Sequence, residues 1–323
     1  MNIAFAGMRH SHIFGLYESA MKSERVIVTG CYEEDEASRA AVSKDYGITF
    51  NYTAYNEILD DASVDAVAIG DCYGKRGNLA IEALKVGKHI ILDKPICTSL
   101  EDLSEIERLS KEKNLQVCCM LDLRYVVPAR KVKELVESDE IGEVLTVNFT
   151  GQHPLNYGVR PMWYFEEGMH GGTINDIAIH GVDLVSFITG KRLTKVNYAK
   201  CWNAYADKEP DFKDCGQFVA EFENLRLMAD VSYAAPNYNG ILPTYWDFSF
   251  WGTKGLIKFS YLDPSIRLYK DSETVIDAGD LTIGYLDAFC DEIEGKTTIM
   301  TTESVIASAR DTLTIQRFAA GNK

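Results

Sequence analysis

Over the first 120 residues, hydrophobic positions fall into short, nearly continuous runs separated by amphipathic stretches. The first run, residues 2–7, ends at Gly7, and residues 11–22 read as an amphipathic helix behind it. A second run lies at 26–28, and 35–46 reads as a helix with Ala37, Ala40, Ala41 and Val42 on one side. Residues 64–69 form a buried strand, 79–86 a helix that stops at Gly87, and 89–92 the next strand. Thr98-Ser99-Leu100-Glu101 has the form of a capping box opening a helix that reaches about residue 113, and 116–121 is a last strand. Short apolar strands that alternate with helices predict a parallel sheet covered on both faces. A series of such strands within about 120 residues predicts a doubly wound, dinucleotide-binding domain.

Beyond residue 121 the pattern changes. Residues 126–137 read as a helix with Arg124 and Tyr125 at its start, and 144–150 alternate with Leu145, Val147 and Phe149 on one side. Phe218, Ala220 and Phe222 alternate, Asn224 marks a turn, and 226–233 return. Trp246, Phe248 and Phe250 alternate before Gly252-Thr253-Lys254-Gly255, and helices at 281–294 and 303–319 close the chain. This half predicts an antiparallel sheet with one covered face. The expected architecture is α/β: a Rossmann domain over 1–122 and an α+β domain with a large, mainly antiparallel open sheet over 123–323. No Pro/Gly-rich linker divides them, so a cleft at their seam is expected.

Composition narrows the partners. A length of 323 residues suits two domains, and 46% hydrophobic with 25% charged residues suits a globular core. The net charge of −15 argues against nucleic acid and against an anionic membrane surface. No apolar run approaches the roughly 20 residues of a membrane span. The N-terminus reads as a first strand, without the basic region of a signal peptide. Eight cysteines without Cys-x-x-Cys spacing suit reduced thiols in a cytoplasmic protein.

One stretch carries an unusual polar stripe. In Gly171-Gly172-Thr173-Ile174-Asn175-Asp176-Ile177-Ala178-Ile179-His180-Gly181-Val182-Asp183, a helix would place Asp176, His180 and Asp183 at i, i+4 and i+7 on one face of an apolar element. Burying such groups is costly unless they are paired or used, so a hydrogen-bonded core histidine and a catalytic one both stay open here. Lys94 in Asp93-Lys94-Pro95 sits where a strand ends, near burial, as a candidate electrophile or proton carrier, and Pro95 suits a cis bond. The first strand ends in Gly7-Met8-Arg9-His10-Ser11-His12, where only one glycine of the dinucleotide fingerprint survives. Arg9 in place of the second glycine could meet a phosphate directly, and the following helix N-terminus is an anion site in any case. Glu33 opens an acidic run through Glu36, which favours NAD over NADP by repelling a 2′-phosphate. His10 and His12 could pair on a metal, but no carboxylate or thiolate set is near in sequence, so no metal is expected. There is no nucleophile elbow for a serine hydrolase.

Taken in order, these pieces resemble the glucose-fructose oxidoreductase / inositol dehydrogenase / MocA (Gfo/Idh/MocA) family over essentially the whole chain. The matching parts are the strand and turn to Gly7, residues 30–47 with Glu33 at the ribose acid, and residues 87–95 at the family's Glu-Lys-Pro segment. Arg124-Tyr125, residues 171–183 with Asp-x-x-x-His, and the 252–255 turn complete the set. The resemblance implies an NAD-dependent dehydrogenase of a sugar, sugar derivative or cyclitol, with Lys94, Asp176 and His180 as the catalytic group. It implies a cofactor site at Gly7, Met8, Arg9, His10, Glu33, Asp71, Arg76 and Lys94, with Asp183 shaping the substrate site. Arg124, Tyr125, His153, Trp163 and Tyr164 would line the cleft, and a homodimer or homotetramer would form through the open sheet. In these roles His180 is the general base, Asp176 orients its ring, and Lys94 stabilises the oxyanion. The chain departs from the family at Arg9 and His12, at Asp93 for Glu, and at Arg76, which ends the loop 71–76 where a His is usual. Two other readings remain: a glycoside hydrolase that holds NAD for transient oxidation, and a non-catalytic nucleotide-binding sensor.

Overall fold

The computed structural model describes residues 1–236, 245–261, 263–279 and 284–321. The chain divides into two compact units. The first comprises residues 1–120 with 161–171 and 285–307, so two segments beyond residue 122 belong to it; the second comprises 121–160, 172–284 and 308–323.

The first unit is built on five parallel strands, at the five apolar runs. These are β1 (Asn2–Met8), β2 (Ile27–Tyr32), β3 (Ala66–Gly70), β4 (His89–Leu92) and β5 (Val117–Cys119), in the order β2-β1-β3-β4-β5. Strands β3, β4 and β5 are buried almost throughout, as continuous apolar runs require when both faces are covered. The helices are α1 (His12–Lys22), α2 (Glu36–Tyr46), α3 (Tyr55–Asp60), α4 (Tyr73–Lys85) and α5 (Leu100–Lys113). Three expectations are corrected here. In α2 only Val42 is buried, while Ala37, Ala40 and Ala41 face outward. Helix α4 starts at Tyr73 instead of residue 79, so most of the loop expected over 71–76 is its first turn. The cap of α5 is Ser99, whose side chain accepts from the Asp102 N–H, one residue later than the predicted box. Because β1 lies between β2 and β3, the order of connection reverses beside it, the place at which sheets of this kind take ligands, outside the carboxyl ends of the strands.

The second unit opens with a 3₁₀ turn (Asp122–Tyr125) and α6 (Val127–Glu137). Its eight-stranded sheet has the order β13-β12-β11-β10-β6-β9-β8-β7. The strands are β6 (Val144–Pro154), β7 (Leu193–Trp202), β8 (Cys215–Phe222), β9 (Leu225–Ala235), β10 (Asp247–Gly252), β11 (Leu256–Ser260), β12 (Ser265–Tyr269) and β13 (Glu273–Asp277). Only the β6–β9 pair is parallel among the described pairings. Phe218, Ala220, Phe222, Phe248 and Phe250 are buried on the inner face, as their alternation predicts. Leu145 is not: it is 44% exposed, because the register of β6 slips between its pairings at Val144 and Thr146 and turns Leu145 outward. The edge strand β7 carries no fully buried side chain, which is why hydrophobic patterning passes over it. Residues 171–183 do not form one regular helix: a π turn (Ile174–Ala178) leads into α7 (Ile179–Thr189). Of the helix predicted over 281–294, residues 281–283 lie outside the described residues; α8 runs Tyr285–Ile293 in the first unit, and α9 is Thr302–Ala319. No described helix is long and apolar enough to cross a membrane.

Candidate functional site

In the first unit, the predicted cofactor residues gather where β1 to β4 end. Gly7 has φ +75°, and a Cβ there would lie 2.5 Å from the Asp71 Cβ, so the turn after β1 can pass the end of β3 only with glycine. The N–H groups of Arg9 and His10 both donate to the Gly70 carbonyl at 3.1 Å. Glu33, at the end of β2, is 1% exposed. Its Oε2 accepts from the Met8 N–H at 2.7 Å and its Oε1 from the Asp35 N–H at 2.9 Å. Burial pushes its carboxyl up, against those two N–H donors. Arg9 Nη1 stands 3.7 Å from Glu33 Oε1. Asp71 is buried too, accepts from the Cys72 N–H at 2.6 Å, and is likewise raised by burial.

Arg76, expected to face the cofactor, is instead fully buried and clamps two strand ends together. Its Nε donates to the Asp71 carbonyl at 2.8 Å, its Nη1 to the Asp93 and Lys94 carbonyls at 2.9 and 2.6 Å, and its Nη2 to Asp93 Oδ2 at 2.9 Å. The guanidinium also lies 4.5 Å from the Tyr73 ring centre. Starting α4 six residues early is what turns Arg76 inward. Asp93 is wholly buried, which opposes its ionisation, yet His10, Arg76 and His12 hold its carboxyl well below the usual range. His10 Nδ1 bonds Asp93 Oδ2. Burial pushes the His10 imidazole down to about 4 despite that carboxylate. Lys94, 4% exposed, forms a cis peptide with Pro95, and its Nζ is 6.0 Å from the Tyr73 ring centre.

Trp163 and Tyr164, expected among the residues of the second domain, belong to this unit and pack on α4. The Tyr73 hydroxyl meets His10 Nε2 at 3.1 Å and the Tyr164 hydroxyl at 2.8 Å. The Trp163 ring stands edge-on to Tyr73, 4.9 Å between centres. A polar chain therefore runs Asp93, His10, Tyr73, Tyr164 through buried space. Tyr73 carries no sequence signal beyond its place two residues after Asp71.

In the second unit, the polar stripe is split among three partners. The Asp176 carboxylate accepts from the Tyr233 hydroxyl of β9. His180 Nδ1 faces Asp122 Oδ1 at 3.3 Å, and Asp122 Oδ2 accepts from the Tyr261 hydroxyl at 3.1 Å. Asp183 Oδ2 accepts from Arg124 Nε at 2.8 Å, with Arg124 Nη2 on Oδ1, in a two-point pair. Since Arg124 is 2% and Asp183 0% exposed, these two tie the 3₁₀ turn to α7, and the substrate contacts expected of them are spent on each other. The π turn departs from the regular helix expected here: its wider turn shifts Asp176 against the 3.6-residue phase of α7. The Trp246 ring stands 5.5 Å from His180, and the Tyr245 hydroxyl meets His153 Nε2 at 2.9 Å. Tyr125 is buried. Gly181 is required by a close approach, since a Cβ there would fall 2.3 Å from the Phe149 ring of β6. The acid at His180 escaped sequence reasoning, although Asp122 lies two residues before Arg124. An imidazole beside a carboxylate in aromatic surroundings can serve as an acid–base group.

Sequence models of a known family cover both halves. Residues 1–121 match the NAD-binding Rossmann fold of the GFO/IDH/MocA oxidoreductase family, and residues 129–258 match that family's C-terminal domain. Among curated proteins, the chain is 26% identical over 157 residues to levoglucosan dehydrogenase of Pseudarthrobacter phenanthrenivorans, covering 47% of this chain and 40% of that protein. It is also 26% identical over 150 residues to myo-inositol 2-dehydrogenase of Thermotoga maritima, covering 46% of this chain and 43% of that protein. These matches span less than half the length of the relatives. The fold is that of a solved levoglucosan dehydrogenase in complex with NADH and levoglucosan, with a TM-score of 0.80 at 20% identity, covering 100% of this chain and 98% of that one. With the five-stranded parallel sheet, the mainly antiparallel eight-stranded sheet and both domain matches in hand, the chain belongs to the Gfo/Idh/MocA family of oxidoreductases, with that family's NAD-binding Rossmann domain at its N-terminus.

Proposed function

We propose that this protein is an NAD-dependent dehydrogenase that moves a hydride between the nicotinamide and a hydroxyl or ketone of a sugar, sugar derivative or cyclitol. The observation that carries the reading is His180 Nδ1 at 3.3 Å from Asp122 Oδ1. With Nδ1 on the side of the Asp122 carboxylate, Nε2 is the ring nitrogen left to take the proton of a substrate hydroxyl. The carboxylates of Asp122 and Asp176 stabilise the imidazolium that results. Lys94 Nζ supports the oxyanion that develops on the substrate. Bound NAD supplies the hydride acceptor. The turn at Gly7, Met8, Arg9 and His10 and the N-terminus of α1 face the pyrophosphate, and Glu33 keeps a second lone pair on each oxygen for the adenosine ribose. Glu33 and its acidic neighbours favour NAD over NADP. The substrate class follows the relatives that act on levoglucosan and myo-inositol.

The test is His180→Ala. Turnover falls by about 10²- to 10⁴-fold, the contribution of a positioned general base, while calorimetric NAD affinity stays within error. Unchanged turnover on the substrate found by a polyol and keto-sugar screen overturns the assignment. Release of free sugar from a glycoside without net NADH would move the protein to the hydrolase reading instead. The protein works as a homo-oligomer in this proposal. The outer face of its eight-stranded sheet exposes Tyr198 (46%), Met228 (37%) and Trp251 (49%), and light scattering that gives a monomer mass removes that part. Its eight free cysteines suit the cytoplasm.

A further inference from the structure

We propose that His10, His12 and Asp93 form a binding site for one divalent transition-metal ion of the zinc type. The carboxylate missing from the local sequence is supplied by the fold: the turn after β1 brings both histidines to the end of β4. One ligand atom from each of the three residues lies within 4.8 Å of the others. The two imidazoles stand edge-on, 4.4 Å between ring centres. Asp93 is wholly buried, and its two oxygens differ. Oδ2 is engaged by His10 and Arg76, whereas Oδ1 accepts no hydrogen bond among the described residues and has His12 Nδ1 3.3 Å away. A buried carboxylate oxygen without a donor is costly, and a cation between it and the two imidazoles removes that cost.

The donor set names the ion. Two imidazole nitrogens and one carboxylate oxygen suit zinc, cobalt or nickel, whereas magnesium and calcium prefer oxygen ligands alone. Three protein ligands leave a further position for water, and the His12 side chain, 49% exposed, sets the site at the surface of the turn. The Tyr73 hydroxyl at His10 Nε2 is the kind of outer hydrogen bond that orients a metal-bound imidazole. On binding, the proton between His10 Nδ1 and Asp93 leaves Nδ1. It departs to solvent or moves to Nε2, where the Tyr73 hydroxyl accepts it as a hydrogen bond and donates in turn to Tyr164. Arg76 is the opposing charge, and the backbone carbonyls of Asp71, Asp93, Lys94 and Pro95 hold it on the far oxygen of Asp93.

The experiment uses the whole chain, freed of metal by a chelator and kept without nucleotide, so its outcome is independent of the dehydrogenase reading. Zinc is titrated calorimetrically, and cobalt is added as the spectroscopic probe. One equivalent of zinc per chain, and a cobalt spectrum free of the thiolate charge-transfer band, are expected. His12→Ala, a change at a half-exposed ring that leaves the buried Asp93–Arg76 contact in place, weakens zinc binding by more than the roughly 10- to 100-fold lost with a merely supporting residue. Less than one equivalent bound, a thiolate band, or full affinity in His12→Ala overturns the proposal.

Discussion

His180 on α7 and Asp122 in the 3₁₀ turn before α6 stand 3.3 Å apart, nitrogen to carboxylate oxygen. This approach sets a carboxylate other than Asp176 beside the histidine. Sequence spacing assigned the orienting of the His180 ring to Asp176, whose carboxylate also accepts from the Tyr233 hydroxyl. Asp122→Asn is therefore expected to lower kcat by about 10- to 100-fold with little change in NAD affinity, because an amide neither orients the imidazole nor supports its charge. Steady-state kinetics alongside calorimetry check it. An unchanged kcat would leave the orienting role to Asp176.

The Arg124–Asp183 pair is buried on both sides. Arg124→Ala leaves a buried carboxylate without its cation and is expected to cost about 3–5 kcal/mol, read as a lower urea midpoint. Replacing both members with apolar residues of similar volume should cost much less, since the uncompensated charge is then gone.

His10 supplies a pH dependence. Its imidazole titrates at about 4 in the fold, from an ordinary value of 6.5, because burial disfavours the cation. Below pH 6.5 the unfolded chain takes up a proton that the folded one refuses until about pH 4. Stability of the metal-free protein then falls with falling pH across that window, by up to about 1.4 kcal/mol per pH unit from this group. Chemical denaturation at pH 7, 6 and 5 measures the slope, and His10→Gln flattens it. Asp93 works at lower pH: its depressed carboxyl contributes stability present above its ordinary range and lost only as the pH drops below that range.

Gly74 lies in the first turn of α4, where its N–H donates to the Met169 carbonyl at 2.9 Å. A Cβ there would sit 2.1 Å from the Gly168 carbonyl oxygen. Gly74→Ala pushes the 161–171 segment off α4 and is expected to cost about 1–3 kcal/mol, with a lower Tm. The same shift loosens the contact of Tyr164 with Tyr73, which quenching of tryptophan fluorescence at Trp163 would report.

Much of the architecture is legible in the chain itself. Apolar runs of strand length predict strands buried on both faces, and strict alternation predicts strands with one covered face, because the two patterns bury different fractions of the same backbone. The inner faces at Phe218, Ala220, Phe222, Phe248 and Phe250 follow from this, and so does the family, from the order of its segments. The failures occur where local rules compete with packing. Leu145 turns outward at a register slip, α4 starts early on a stretch read as loop, and β7 lies at an edge with little to bury.

The partners of the charged groups are a different matter. Nothing in the spacing of His10, His12 and Asp93 announces that two strand ends bring them within 4.8 Å, nor that Asp122 meets His180. Periodicity reports which side of one element a residue occupies, a property of a few neighbouring peptides. Which groups face each other depends on strand order, on a π turn and on where the helices begin, and these arise from contacts between residues distant in the chain. The strands and the buried faces of most of them were therefore the sequence's to determine; the pairing of the charged residues, and with it the chemistry open to them, was decided only by the folded arrangement.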